Sequence, residues 1–287
     1  VAPGTFIEPD LRLADSPDPN AALGIPVSHH HHYRYASHLA GRSSIFDSII
    51  ARLGQLDYPF DDQCTLQYYF DIVRVLRDFA GEFGRVVEVG TYMGGSSGFL
   101  AGCISRFDYD LDLIDIDARR LRSAYERVRR SFPESIHRVR IFHGDLPTYV
   151  ARVLAQEESG KVLVHHDGSH SFNQVVKDMA SLFFVRDKLL AVIAQDTNLR
   201  GGIHGDIFVD LALYAVFGSE VRYAPIGTAC EAHEARTRPD PDTGLYFLPG
   251  VPEGVVIPMA SNSFHYPHPH MTLAEILGDN QAASNTA

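Results

Sequence analysis

The chain has 287 residues, of which 45% are hydrophobic and 21% charged, with no tryptophan and a formal charge of −11 at a pI near 5.7. That length holds one sizeable core and cramps two. The composition excludes disordered and fibrous chains, and the acidic balance repels phosphate backbones and anionic lipid surfaces, so neither nucleic acid nor a membrane is an expected partner. Three cysteines, Cys64, Cys103 and Cys230, lack C-x-x-C spacing and read as reduced packing residues. With no basic segment leading into an apolar run and no stretch of bilayer-spanning length, a cytoplasmic location is expected.

Residues 1–42 are rich in Pro, Asp, Ser and His. Pro3, Pro9, Pro17, Pro19 and Pro26 break regular elements, so the segment reads as an irregular arm or lid. It includes His29–His32, a run able to bind transition metals adventitiously, and Tyr33, a candidate substrate contact. A polar arm with little core of its own is suited to exchange with a second subunit, which predicts a homo-oligomer, dimer or higher. Residues 43–84 carry apolar positions at helical spacing and predict two helices, Ser43–Leu53 and Thr65–Phe83.

From Arg85 onward short β-branched runs alternate with helical stretches. The predicted strands are Val86–Val89, Leu111–Ile116, Val139–Phe142, Val162–Val164 and Leu190–Ala194, followed by a helix near 206–217 and further strand candidates at Val221–Pro225, Leu245–Leu248 and Val255–Pro258. Alternation of this kind specifies right-handed βαβ units and a doubly wound, mostly parallel, Rossmann-like α/β sheet, expected with seven strands over residues 85–278. Residues 279–287 read as a flexible tail. Arg119, Arg120, Arg122, Arg127, Arg129 and Arg130 read as the solvated face of a helix.

The strongest local signal is Val86-Val-Glu-Val-Gly-Thr-Tyr-Met-Gly-Gly-Ser-Ser97, a strand entering a glycine turn that opens a helix. Three residues separate Gly90 from Gly94, and Glu88 stands two before Gly90, whereas a dinucleotide site wants G-x-G-x-x-G and no acid facing the pyrophosphate. An acid there suits a cationic sulfonium or ammonium ligand, so S-adenosylmethionine fits better than NAD and a nicotinamide oxidoreductase is disfavoured. Gly90, Thr91, Tyr92, Gly94 and Ser96 would form the turn around the ligand. Asp115 ends the next strand and could bind a ribose diol, with Asp117 nearby as a second contact or a helix cap. Asp145, after the third strand, could accept from the adenine amino group.

The order of these pieces resembles the class I methyltransferases. Glu88-Val-Gly-Thr-Tyr-Met-Gly-Gly-Ser, His166-Asp-Gly-Ser-His170 and Gln195-Asp-Thr-Asn198 are similar to the branch of cephalosporin-hydroxylase-like proteins and metal-dependent macrolide-sugar O-methyltransferases, over residues 60–225.

Asp167 and Asp196 end the fourth and fifth strands, neighbours in such a sheet, and a converging carboxylate pair either shares a proton or binds a hard cation such as Mg²⁺, the favoured reading. His170, three residues after Asp167, has the pKa of a general base. The resemblance implies that the acids hold the metal, that Asp167 also lies at the cofactor, and that His170 is the base. That branch carries adjacent acids after the fifth strand, and Gln195 replaces the first here, leaving Gln195 and Asn198 as weaker neutral metal ligands. His166, beside the metal, and His204, on a glycine-rich loop, are candidate substrate contacts.

The expected activity is O-methyl transfer to a small hydroxylated natural-product acceptor. A sugar moiety is favoured ahead of a catechol-like aryl group; the histidines would serve the former and Tyr33, Tyr92 and Phe172 the latter, and the residue types alone do not decide between them. The alternative is a catalytically silent, cofactor-binding partner subunit.

Overall fold

The computed structural model describes residues 4–27, 38–158 and 160–277, so His29–His32, Tyr33 and the 279–287 tail lie outside the described residues. Along the chain come β1 (Thr5–Ile7), α1 (Pro19–Ala22), α2 (Ser44–Leu53), α3 (Leu66–Asp78), β2 (Arg85–Val89), α4 (Gly95–Phe107), β3 (Asp110–Asp115) and α5 (Ala118–Ser131). They are followed by β4 (Val139–His143), α6 (Leu146–Tyr149), β5 (Val162–His166), α7 (Phe172–Leu182), β6 (Leu189–Gln195) and β7 (Leu199–Arg200). The last elements are α8 (Val209–Phe217), β8 (Ala224–Ala229), β9 (Tyr246–Phe247), β10 (Pro252–Pro258) and α9 (Leu273–Leu277).

Alternation along the central strands divides the apolar residues between two cores. Val86, Leu111, Leu113, Leu163 and Ile193 face a layer containing α2–α5, while Val87, Val89, Ile114, Val164 and Val192 face α6–α8. A sheet buried on both faces needs such continuous apolar runs. Its strand order is β1-β4-β3-β2-β5-β6-β10-β8. Strands β4, β3, β2, β5 and β6 are parallel, and β10 runs antiparallel between β6 and β8. The order therefore reverses between β2 and β5, where an open α/β sheet leaves a crevice at its carboxyl edge.

The sheet has eight strands where seven were expected, because the N-terminal arm contributes β1. Phe6 pairs with Phe142 across an antiparallel edge, their rings 5.3 Å apart edge to face. The arm also buries Leu13, Asn20 and Ile25, so this part is packed structure and not a loose lid. Arginines account for it, among them Arg130, which was expected on a solvated face. A proline-broken segment leaves carbonyls without partners, and Arg130 donates to the carbonyls of Leu13 (2.9 Å) and Ser16 (2.6 Å) while Arg152 donates to Gly4 (2.7 Å). Arg127 is fully buried.

Helix α3 ends at Asp78, before the predicted Phe83, and the chain turns away through Gly81 at a left-handed φ of +83°. The predicted strand at 245–248 is β9, which pairs with β7 outside the main sheet, and the one at 221–225 starts later, as β8. No helix among the described residues is long and apolar enough to cross a membrane.

Candidate active site

The crevice opens into a cavity of about 630 Å³ bordered by the turns after β2, β3, β4, β5 and β6 and by residues 62–64. Gly90 stands on its border at the turn after β2. This residue has φ +84°, and a Cβ there would run into the carbonyl oxygen of Asp167 and the Cα of Gly168. Asp167 in turn donates its N–H to the carbonyl of Val89 at 2.8 Å, so the first and fourth turns are packed backbone to backbone. Only glycine combines that φ with that approach.

On the β2–β4 side the acids are tied to the protein. Asp115 accepts from the backbone N–H of Thr91 (3.0 Å) through one oxygen and from that of Asp117 (2.8 Å) through the other, and lines the cavity between them. Asp117 caps α5, accepting from the N–H of Arg119 at 2.8 Å, and is absent from the lining, which supports its capping role. Asp145 caps α6 through the N–H of Thr148 (3.0 Å) yet still borders the cavity. Thr91, Tyr92 and Ser96 line it as well; Tyr92 donates to Asp61 (3.2 Å) beneath the Arg120 guanidinium, and Gly94 is the left-handed N-cap of α4.

Glu88 departs from its predicted place. It is fully buried behind the turn, accepts from Ser96 and from Ser97 (2.6 Å), and does not line the cavity. Burial pushes its carboxyl up to about 8 against the opposing pull of the two serines. A predominantly neutral acid at pH 7 anchors the first turn of α4; it is not placed to face a cationic ligand.

On the β5–β6 side Asp167, His170 and Asp196 converge, one ligand atom of each lying within 4.8 Å of the others. His170 Nε2 is 3.1 Å from Asp196 Oδ2 and 3.5 Å from Asp167 Oδ1. Burial pulls the imidazole pKa down, but the carboxylates of Asp196 and Asp167 outweigh it and hold His170 at about 9. Burial raises Asp196, opposed by His170 and reinforced by Asp167 and Glu253. Asp196 also sits at φ +59°, a backbone state uncommon outside glycine that gathers at functional sites. Gln195 lines the same cavity, whereas Asn198 does not.

Two predicted substrate contacts lie elsewhere. His166 is buried on the α7 side of β5, with Nε2 2.9 Å from Asp178, and does not line the cavity. A strand's alternation put it there: next to Asp167 in sequence, it faces the opposite layer. His204 is exposed on the 201–205 loop, also off the cavity wall. Conversely, Asp62, Cys64, Tyr69, Arg120, Gln174 and Asp178 line it without having been singled out. Asp62 and Cys64 gave no signal because 62–64 is an irregular segment brought in by the tertiary fold, and the other four sit on helices whose periodicity does not mark a ligand. Asp62 accepts from Tyr69, and the buried Arg127 reaches it at 3.2 Å and the carbonyl of Met93 at 3.1 Å.

Residues 87–189 match a family model described as a methyltransferase domain, a stretch from β2 to the start of β6 that holds the glycine turn, Asp115, Asp145 and Asp167. No curated protein matches the chain. Similar solved structures include a putative O-methyltransferase from Klebsiella pneumoniae (15% identity, covering 77% of this chain and 91% of that one, TM-score 0.46). They include the O-methyltransferase TomG from Streptomyces achromogenes, involved in tomaymycin synthesis and solved with its cofactor (18% identity, 57% and 70% covered, TM-score 0.39). An O-methyltransferase from Bacillus cereus, in complex with S-adenosylhomocysteine, is also similar (15% identity, 57% and 71% covered, TM-score 0.40). The family match falls on the strands and turns that build the cavity, so residues 87–189 are similar to a methyltransferase domain.

Proposed function

We propose that the protein transfers the methyl group of S-adenosylmethionine to a hydroxyl oxygen of a small metabolite. The observation that carries this reading is one continuous cavity joining Thr91 and Asp115 at one end to Asp167, His170 and Asp196 at the other. Asp115, with both oxygens oriented by backbone N–H groups, keeps lone pairs for a ribose diol. The Gly90 turn leaves backbone, not side chain, against the ligand.

Moving a methyl group from sulfonium to a hydroxyl oxygen forms a C–O bond, breaks the S–C bond and requires the hydroxyl proton to leave. The cluster of Asp167, His170 and Asp196 supplies the destination, three titratable groups at the far end of the cavity. Its donors also fit a divalent cation. Two carboxylates converge there, and the carbonyl oxygen of Gln195 is buried without a hydrogen-bond partner. Asp167 and Asp196 would hold the ion, which when bound lowers the pKa of an acceptor hydroxyl.

A sugar-like polyol is the favoured acceptor. Of the three aromatic residues named for an aryl ring, Tyr33 lies outside the described residues, Phe172 does not line the cavity and Tyr92 is already stacked against Arg120, while Asp62, Gln63, Ser169 and Ser171 offer polar contacts. The test is methyl transfer from labelled S-adenosylmethionine to matched panels of glycosides and catechols. Labelled glycosides, with none formed by Asp196→Asn, are the expected result. Labelled catechols alone would overturn the acceptor assignment, and transfer to amines or thiols alone would overturn O-methylation.

A further inference from the structure

We infer that His170 is itself a ligand in the cation site formed with Asp167 and Asp196, and that the site is built for a transition-metal dication of the manganese-to-zinc series and not for Mg²⁺. The inference rests on the cation reading above and specifies which ion and which donors. It starts from an oddity in the hydrogen bonding. His170 Nε2 is buried, lies 3.1 Å from one carboxylate oxygen and 3.5 Å from another, and yet makes no hydrogen bond to either. In the chain alone the three groups are an ion-paired cluster, and the same convergence of one nitrogen and two carboxylate oxygens is the arrangement of donors around a common centre.

A second observation is independent of the three. Gln195 is 4% exposed, lines the cavity beside Asp196, and has a buried Oε1 that meets no donor. An orphaned buried carbonyl costs on the order of 1–3 kcal/mol unless something absent from the chain satisfies it, and a cation is such a partner.

The donor chemistry then selects the ion. Mg²⁺ wants an octahedron of oxygens and retains several waters. Here one of the three converging donors is an imidazole nitrogen, and the residue preceding Asp196 is a neutral amide, not a third carboxylate. Replacing oxygen and charge by nitrogen lowers affinity for Mg²⁺ and raises it along the series from Mn²⁺ towards Cu²⁺, with Zn²⁺ close behind. His170 as a ligand gives up the free-base role that the resemblance implied, leaving the hydroxyl proton to the carboxylates or to water.

The experiment is calorimetric titration of chelator-treated protein with Mg²⁺, Mn²⁺ and Co²⁺, alongside visible absorption of the Co²⁺ form. It is done in a background with His29–His32 replaced by serine so that this run does not take up metal. Co²⁺ and Mn²⁺ are expected to bind at least about tenfold more tightly than Mg²⁺, and His170→Ala to remove most of that advantage and shift the Co²⁺ bands. Binding of S-adenosylhomocysteine by His170→Ala would show that the variant is folded. Tighter binding of Mg²⁺ than of Co²⁺, or a Co²⁺ affinity and spectrum unchanged by His170→Ala, would overturn the inference. So would nucleoside binding with no metal bound at all, an outcome that leaves the methyl-transfer reading standing. Failure to bind the nucleoside would instead count against that reading.

Discussion

The two ends of the cavity use the same residue type in opposite ways. After β2, β3 and β4 the acids are spent on the protein. Asp115 accepts from two backbone N–H groups, Asp117 and Asp145 cap helices, and Glu88 is buried under two serine hydroxyls. After β5 and β6, Asp167 and Asp196 meet His170 and leave buried polar atoms of His170 and Gln195 without hydrogen bonds. Satisfied acids give a rigid frame that can receive a ligand of fixed shape. Unsatisfied groups held close together cost folding energy and are retained where chemistry needs them.

The comparison predicts where substitutions act. At the unsatisfied end, Asp196→Asn should lower methyl transfer by about 100-fold or more while leaving S-adenosylhomocysteine binding intact, as read by single-turnover assay and calorimetry; equal losses in both would merge the two ends into one. Between the ends, Gly90→Ala should cost at least about 2 kcal/mol in denaturant unfolding, because it combines an unfavourable φ with a backbone collision. At the satisfied end, Asp115→Asn should weaken nucleoside binding by about tenfold, the loss of a charge-assisted bond to a diol.

Glu88 sharpens the contrast through pH. Its carboxyl is held at about 8 in the folded chain against an ordinary 4.5, mainly by burial. The native state therefore binds the proton more tightly than the unfolded state, and this group's contribution to stability is complete below the unfolded value and lost as pH rises towards 8. Thermal unfolding of Glu88→Gln should show a flatter decline than wild type over that window; parallel curves would mean that Glu88 is ionised in the native state. The smallest effect belongs to Asp117→Ala, about 1 kcal/mol of stability from the lost helix cap, with nucleoside affinity unchanged. A matching loss of affinity would return Asp117 to the ligand.

Much of the fold could be read along the chain because alternating runs such as Val86–Val89 and Leu111–Ile114 carry both buried faces in their own order. The arm could not, since β1 is three residues long and gains its place by pairing with β4 and by arginines far away in sequence. At the site, residues at strand ends were legible by position: Asp115, Asp167 and Asp196 all border the cavity. The side a residue faces was not. Glu88 and His166 sit within two residues of cavity-lining positions and point into the two layers instead. Asp62 and Cys64 were invisible because an irregular segment carries no periodicity, and what brings Asp62 to the cavity is its contact with the buried Arg127.

The most direct test of the central claim is calorimetric titration of the purified protein with S-adenosylhomocysteine, in parallel with NAD. Saturable binding of the nucleoside at one site per chain is expected, weakened by Asp115→Asn and untouched by Asp117→Ala, with no binding of NAD. Absence of nucleoside binding, or binding of NAD in its place, would contradict it.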